Sequence, residues 1–267
     1  MGYRGRAYRD MSDFAVHFTK AVPKHQVGPP PPPPKRKGRL SLGEMVQRIG
    51  HMHRRDRSGF YPWRDILGAR KLRAGAKPLG AARNVEGVKE SQRVVCFSEI
   101  PLDMLNRLVE RRSLYGIGFR KEFLIARGGA PLWYLDDKGE QAQLIRAQVR
   151  QRERTGVDTA DPFWKLTPFI DHPGFYKGRE YRWEWEREWR VIGDLPFEIE
   201  DVAFLFLPEE EHEKARQWFA DVEFEHTGPA YFCPYIDPRW PLDRIEDALE
   251  KVPAKPDPSP GAIPAGL

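Results

Sequence analysis

The stretch Val94-Val95-Cys96-Phe97-Ser98 decides the fold, because its run of strand-forming residues is typical of a strand that is buried on both faces. On the N-terminal side, Phe14 to Thr19 also predicts a strand, since apolar and polar residues alternate there. On the C-terminal side, strand patterns recur at 131–135, 181–193 and 202–208. The chain therefore contains at least five candidate strands spread over most of its length.

Apolar residues at helical spacing predict helices between these strands. The helices are expected at 42–49, 63–72, 121–126, 140–151, 161–170 and 209–219. Strands and helices do not alternate regularly, so a doubly wound parallel sheet is not predicted. The fold class that fits is α+β, with a mixed, mainly antiparallel sheet and flanking helices.

The composition predicts a folded chain with two irregular segments. Of the 267 residues, 40% are hydrophobic, which is enough apolar surface to offset the entropy of ordering. We expect a single α+β domain over residues 1–252, interrupted by a proline-rich loop at 28–38. Residues 253–267 are rich in Pro, Ala and Gly, and are expected to form a disordered tail.

Charge and cysteine usage limit the compartment and the partners. The N-terminus lacks a signal-like apolar core and no apolar run is long enough for a membrane span, so we expect a cytoplasmic protein that has no membrane partner. Two isolated cysteines and one His-x-His at 51–53 predict no metal site. The net charge of +5 is small, but basic residues concentrate at 35–93. That segment could bind a nucleic acid, or it could form an ordinary solvated face.

The acidic and aromatic stretch from Trp183 to Arg190 is the most unusual part of the chain. If it is a strand, then Glu184, Glu186, Glu188 and Arg190 share one face, with about 7 Å between successive positions. Paired carboxylates are suited to stabilise an oxocarbenium-like transition state. The alternative is a solvated strand face that lies opposite a core of tryptophans.

Three further residues are candidates for a ligand site. His17 and Thr19 share one side of the first strand, where the imidazole could hydrogen-bond a ribose hydroxyl or only satisfy a backbone carbonyl. Tyr115 precedes Gly-Ile-Gly, so it could stack on a base or a nicotinamide ring, or it could belong to a plain turn. The sequence leaves both alternatives open.

Several motifs occur in an order that resembles the AbiGi family of abortive phage-resistance proteins. They are His17-Phe18-Thr19, "CFSEIPL" at 96–102, "YGIGF" at 115–119, "PLWY" at 131–134 and "EREWR" at 186–190. The likeness spans about residues 14–207 and treats the proline-rich loop as an insertion. It implies a role in phage defence, on the side of the locus that is usually described as the antitoxin.

A second, more distant likeness is to ADP-ribosyltransferases, including the DarT-like DNA-modifying toxins. It rests on the order of His17, Tyr115 and the Glu186/Glu188 pair. The likeness implies an ADP-ribosyltransferase-like fold and NAD as cofactor. By this resemblance Glu188 would be the catalytic carboxylate and Glu186 its acceptor-side partner. His17, Thr19, Ser98 and Tyr115 would hold the cofactor, with Ser98 at the nicotinamide ribose.

Two functions from different classes follow from these resemblances. In the first, an ADP-ribosyltransferase-like enzyme of phage defence uses NAD to modify a macromolecule, with a nucleic acid as a possible acceptor. In the second, a non-catalytic antitoxin or regulator binds a toxin protein or a nucleic acid. A third, structural interpretation gives the Trp/Glu strand a scaffold role only.

Overall fold

The computed structural model describes residues 13–19, 59–99, 105, 113–172, 174–176, 179–181, 186–251 and 255–259. The predicted proline-rich loop at 28–38 and the predicted helix at 42–49 lie outside these residues, as does Glu184. The chain forms two compact units. The first unit takes its described residues from 1–17, 70–102 and 118–203, and the second takes them from 18–69, 103–117 and 204–267.

Thirteen strands are present in the described part of the chain. They are β1 (Phe14–Phe18), β2 (Lys71–Leu72), β3 (Val94–Ser98), β4 (Gly116–Arg120), β5 (Ala130–Pro131), β6 (Trp133–Tyr134), β7 (Ile170–Asp171), β8 (Gly174–Tyr176), β9 (Arg179–Tyr181), β10 (Glu188–Ile192), β11 (Leu195–Pro196), β12 (Val202–Phe206) and β13 (Tyr235–Ile236).

The helices of the described residues are α1 (Phe60–Ala69), α2 (Lys121–Ala126), α3 (Glu140–Thr155), α4 (Phe163–Leu166), α5 (His212–Phe224) and α6 (Leu242–Glu250), with short 3₁₀ turns at Glu86–Gln92, Thr167–Phe169, Ile199–Asp201 and Glu209–Glu211. None of these helices has the length and apolar character needed to cross a membrane.

Seven of the strands form one sheet in the order β13-β12-β4-β1-β3-β10-β5. The pairs of β3 with β1 and with β10 are antiparallel, as is the pair of β10 with β5, whereas β12 and β13 run parallel. The predicted mixed and mainly antiparallel sheet with helices is therefore confirmed.

The strand Val94–Ser98 is an interior strand of this sheet and is largely buried, as its sequence pattern predicts. Its residue Ser98 lies opposite Val16 of β1 on one side and opposite Glu188 of β10 on the other. Phe97 packs edge-on against Phe119 at a ring-centroid distance of 5.9 Å, and both rings are almost fully buried. This aromatic contact forms part of the core of the first unit.

The stretch Tyr115–Phe119 differs from its predicted turn. Residues from Gly116 onward form the buried strand β4, in which Ile117 and Phe119 have no exposed surface. The alternation of glycine with large apolar residues places the apolar side chains on one face, and their burial outweighs the weak strand preference of glycine.

The stretch 183–190 also differs from a continuous strand. β10 begins only at Glu188, because Arg187 has a φ of 43° in the left-handed region. A strand cannot pass through such a residue with its side-chain alternation intact. Glu186 and Glu188 therefore do not share one strand face in the way that the sequence pattern predicts.

Two other segments have shifted boundaries. The helix expected at 63–72 runs from Phe60 to Ala69, and Lys71–Leu72 pairs with β11 as a strand. The stretch 131–135 is divided between β5 and β6, which pair with different strands.

Candidate functional site

A cluster of polar side chains on one face of the sheet in the first unit is the strongest candidate for a functional site. At its centre is Arg190 of β10, whose side chain is only 2% exposed. Its Nε donates to Glu188 Oε1 at 2.6 Å, and its Nη1 donates to the carbonyl of Pro168 at 2.5 Å. Its Nη2 donates to Asp171 Oδ2 at 2.9 Å. One guanidinium thus joins a strand, a turn and a second short strand.

The local sequence explains why Glu188 and Arg190 meet. They are two residues apart in β10, and alternate residues of a strand point to the same face. Ser98 lies opposite Glu188, and Cys96 lies opposite Arg190, so these two residues of β3 belong to the same face. Asp171 comes from β7, which is 19 residues before Arg190 in the chain.

The electrostatics of the cluster fit a stable ion network. Burial by itself would lower the pKa of Arg190, but the Glu188 carboxylate at hydrogen-bond distance raises that pKa above its ordinary value. Asp171 pairs with two arginines, because Arg83 Nη1 lies 3.3 Å from its Oδ1 while Arg190 contacts its Oδ2. The carboxylates of Glu188 and Asp171 are each 18% exposed and are both engaged by guanidinium groups.

Tyr134 of β6 lies beside this network. Burial raises the pKa of its phenol, and the negative charge of Glu188 raises it further. Glu186 acts on Tyr134 in the same direction, and its own side chain is almost fully buried. The structure therefore brings Glu186, Glu188 and Tyr134 into one neighbourhood, where the phenol stays protonated at neutral pH.

His17 lies on the other face of the sheet from Glu188. Because Val16 is opposite Ser98 in the antiparallel pair of β1 and β3, His17 falls opposite Phe97. Its ring packs edge-on against the Phe97 ring at 5.8 Å, and its Nδ1 is 3.0 Å from the carbonyl oxygen of Cys96. The imidazole therefore contacts a backbone carbonyl through Nδ1 and does not share the face on which Ser98 and Glu188 lie.

Thr19 and Tyr115 belong to the second unit, where both are buried. The Thr19 hydroxyl lies 2.9 Å from the carbonyl oxygen of Gly59 and 2.9 Å from the hydroxyl of Ser113. The Tyr115 ring lies 5.6 Å from the Phe60 ring and 5.7 Å from the Trp63 ring. Both side chains therefore stabilise the packing around the start of α1.

The basic segment 35–93 is described only from residue 59 onward. Within that part, six cations lie at ion-pair distance from carboxylates, in the pairs Arg64–Asp65, Arg70–Glu198, Lys71–Asp194, Arg83–Asp171, Lys89–Glu86 and Arg93–Glu90. Much of the positive charge in the described part is therefore balanced locally. Nucleic-acid binding by the whole segment stays a prediction.

Sequence reasoning did not assign a role to Arg190, Asp171 or Tyr134. The sequence did contain a signal for Arg190. It follows Glu188 by two residues, so alternation along a strand places both side chains on one face. Tyr134 lies in the motif at 131–134 but was given no role of its own, and Asp171 had no signal, since only the folded chain brings it to Arg190. Among the described residues, no group of three His, Cys, Asp or Glu side chains is arranged to hold a metal ion.

Residues 79–220 match the model of the family described as "Putative abortive phage resistance protein AbiGi, antitoxin". The matched region contains β3, β10 and every member of the Arg190 cluster. The chain belongs to the AbiGi family. Comparisons with curated proteins and with solved structures give no match.

The AbiGi match confirms the first resemblance drawn from the sequence. The motifs at 96–102, 115–119, 131–134 and 186–190 all lie inside the matched residues, whereas His17 lies outside them. No solved structure supports the ADP-ribosyltransferase-like part of the predicted fold.

Proposed function

We propose that this AbiGi protein is a non-catalytic antitoxin of a phage-defence locus, and that it acts by binding a toxin protein. The observation that carries the proposal is the engagement of Glu188 by the buried Arg190 at 2.6 Å. The family description as an antitoxin supports the same conclusion.

The Arg190 cluster is better suited to hold the fold than to carry out ADP-ribosyl transfer. A carboxylate that stabilises an oxocarbenium-like transition state has to face the ribose, with its charge available to the developing cation. The Glu188 charge is already directed to Arg190, and Glu186 is 3% exposed. The imidazole of His17 is on the other face of the sheet.

The cluster also fixes a strand that presents an aromatic side chain to solvent. Tyr134 and Trp133 are neighbours in β6, so their side chains point to opposite sides. Tyr134 lies in the cluster, whereas Trp133 is 54% exposed. Exposed tryptophans are frequent anchors of protein interfaces. Trp133 is therefore our candidate contact for the toxin.

Co-expression with the product of the neighbouring reading frame tests this function. If that product arrests growth, the wild-type chain should restore growth and co-purify with it. Glu188→Gln keeps an acceptor for Arg190 and should protect like the wild type. Trp133→Ala should weaken co-purification by about tenfold or more, as expected for an aromatic anchor. Leu144→Ala, at another exposed apolar residue, is the matched control.

Two results would contradict the antitoxin function. The first is a chain that neither binds the neighbouring product nor changes its effect on growth. The second is NAD consumption by the purified wild-type chain that Glu188→Gln abolishes, because a carboxylate needed for turnover cannot be merely structural.

NAD-dependent ADP-ribosyl transfer is the second candidate, and the position of Ser98 directly opposite Glu188 favours it. In that case Glu188 would be the catalytic carboxylate with Glu186 as its partner, and Ser98, on the same face of the sheet, would contact NAD. A nucleic acid held by the basic segment 35–93 would be one acceptor. Incubation with NAD and RNA, DNA or protein, followed by measurement of nicotinamide release, tests this candidate directly.

A further inference from the structure

The segment 255–259, Lys-Pro-Asp-Pro-Ser, lies along α5 in the second unit. Gln217 Nε2 donates to the carbonyl of Asp257 at 2.7 Å. Asp221 accepts the Ser259 N–H at 2.6 Å through Oδ1 and the Ser259 hydroxyl at 2.8 Å through Oδ2. Gln217 and Asp221 are four residues apart on the helix, so they form one face. That face holds the backbone of the segment at two points.

A third contact holds the other end of the segment. Lys255 forms an ion pair with Glu223, and its ammonium group lies 5.2 Å from the centre of the Phe232 ring. A cation above an aromatic face is attracted by the electron density of the ring. The segment of five residues is therefore held at its first, third and fifth positions.

The pattern of these contacts selects a particular kind of peptide. Pro256 and Pro258 have no N–H groups and fix their own φ angles, so the segment is suited to an extended polyproline conformation. Position 259 must supply both an N–H and a hydroxyl to satisfy the two oxygens of Asp221. Gln217 also donates to Asp221 Oδ1 at 3.2 Å, which orients the carboxylate.

We propose that this face of α5 is a peptide-binding surface that recognises Lys-Pro-x-Pro-Ser, and that residues 255–259 occupy it in cis and exchange with a peptide of the same pattern. The Lys255–Glu223 pair is open to solvent, since its side chains are 49% and 43% exposed, and the contact of Ser259 with Asp221 is only partly buried. Opening this contact therefore uncovers polar groups that water can solvate, and no apolar core is disrupted.

Because residues 255–259 are part of the chain, they compete with an added peptide for the face of α5. A segment on a short linker has an effective concentration on the order of 1 mM at its own site. If the free peptide binds with a Kd of about 100 μM, then the tethered segment occupies the surface about nine-tenths of the time. An added peptide should then bind the wild-type chain about tenfold more weakly than a chain whose own segment is displaced.

The experiment uses the full chain and a fluorescein-labelled peptide of residues 253–260, followed by fluorescence anisotropy. Ser259→Glu places a negative charge beside Asp221 and should release the resident segment. The labelled peptide should therefore bind the Ser259→Glu chain about tenfold more tightly than the wild type. Adding Asp221→Ala to that chain should abolish binding, whereas adding Glu213→Ala, at an exposed residue of the same helix, should leave it unchanged.

A scrambled peptide of the same composition should not bind. The proposal is overturned if the labelled peptide shows no saturable binding to the Ser259→Glu chain, or if it binds that chain and the wild type equally. Sedimentation of the wild type also tests the cis contact, because a dimer that Ser259→Glu dissociates would mean that the segment comes from a second copy. These outcomes are independent of toxin binding and of NAD chemistry.

Discussion

Replacing Arg190 with Met tests whether the polar cluster holds the first unit together. Methionine keeps much of the apolar stem but removes the charge and the donors to Glu188, Asp171 and Pro168. Removing one partner of a buried ion pair costs about 3–5 kcal/mol, because the remaining charge is left without compensation. The two carboxylates are 18% exposed and can be partly hydrated. We therefore expect a loss of about 3 kcal/mol in the free energy of unfolding.

Urea denaturation followed by tryptophan fluorescence and circular dichroism measures this loss. A decrease of about 3 kcal/mol is a large share of the roughly 5–15 kcal/mol that is typical of a folded domain. Arg146→Met is the matched control, because Arg146 pairs with Asp137, whose side chain is 61% exposed. An exposed pair contributes less than about 1 kcal/mol. Equal losses in the two variants would refute the structural role of Arg190, and so would a loss below about 1 kcal/mol in Arg190→Met.

Four further predictions concern the second unit. Gly59→Ala should destabilise the chain by about 1–3 kcal/mol, since φ is +91° and an added Cβ would lie 2.6 Å from Thr19 Oγ1. Gly68→Ala, in α1 with open space around it, should instead stabilise the chain by about 0.5–1 kcal/mol. Thermal unfolding should therefore show a lower midpoint for Gly59→Ala and a higher one for Gly68→Ala than for the wild type. Thr19→Val removes a buried hydroxyl and should cost about 1–3 kcal/mol in urea denaturation, with Thr19→Ser as the variant that keeps the hydroxyl. Burial lowers the pKa of His212 below its usual value, so the unfolded chain binds the proton first and stability should fall as pH drops through about 6.5. Unfolding of His212→Gln between pH 7 and pH 5 should show a smaller fall than the wild type.

The sequence could predict those strands and helices whose pattern is local. Val94–Ser98 and Phe14–Phe18 are strands as predicted, and Lys121–Ala126 is a helix with the predicted bounds. The strand over Gly116–Arg120 was missed, because glycine next to Tyr115 is locally typical of a turn. Its strand state depends on neighbours that are distant in the sequence, so local preference alone could not predict it.

Two features of the candidate site depend on information that the sequence pattern does not contain. The left-handed φ of Arg187 cannot be predicted from a residue type that rarely adopts it. The contact between Asp171 and Arg190 requires β7 and β10 to meet, and nothing in the local sequence specifies that. The acidic character of the site could be predicted from residues 186–188, but not the contact of Arg190 with Asp171.

The Glu188–Arg190 ion pair, in contrast, could be predicted from the sequence. Residues two apart in a strand point to the same face, so a glutamate followed two residues later by an arginine predicts an ion pair along that strand. Glu188 and Arg190 have this spacing, and the structure joins them at 2.6 Å. Since the guanidinium is buried with the carboxylate as its partner, a catalytic role for Glu188 would require that pair to open and would leave a buried charge without its partner.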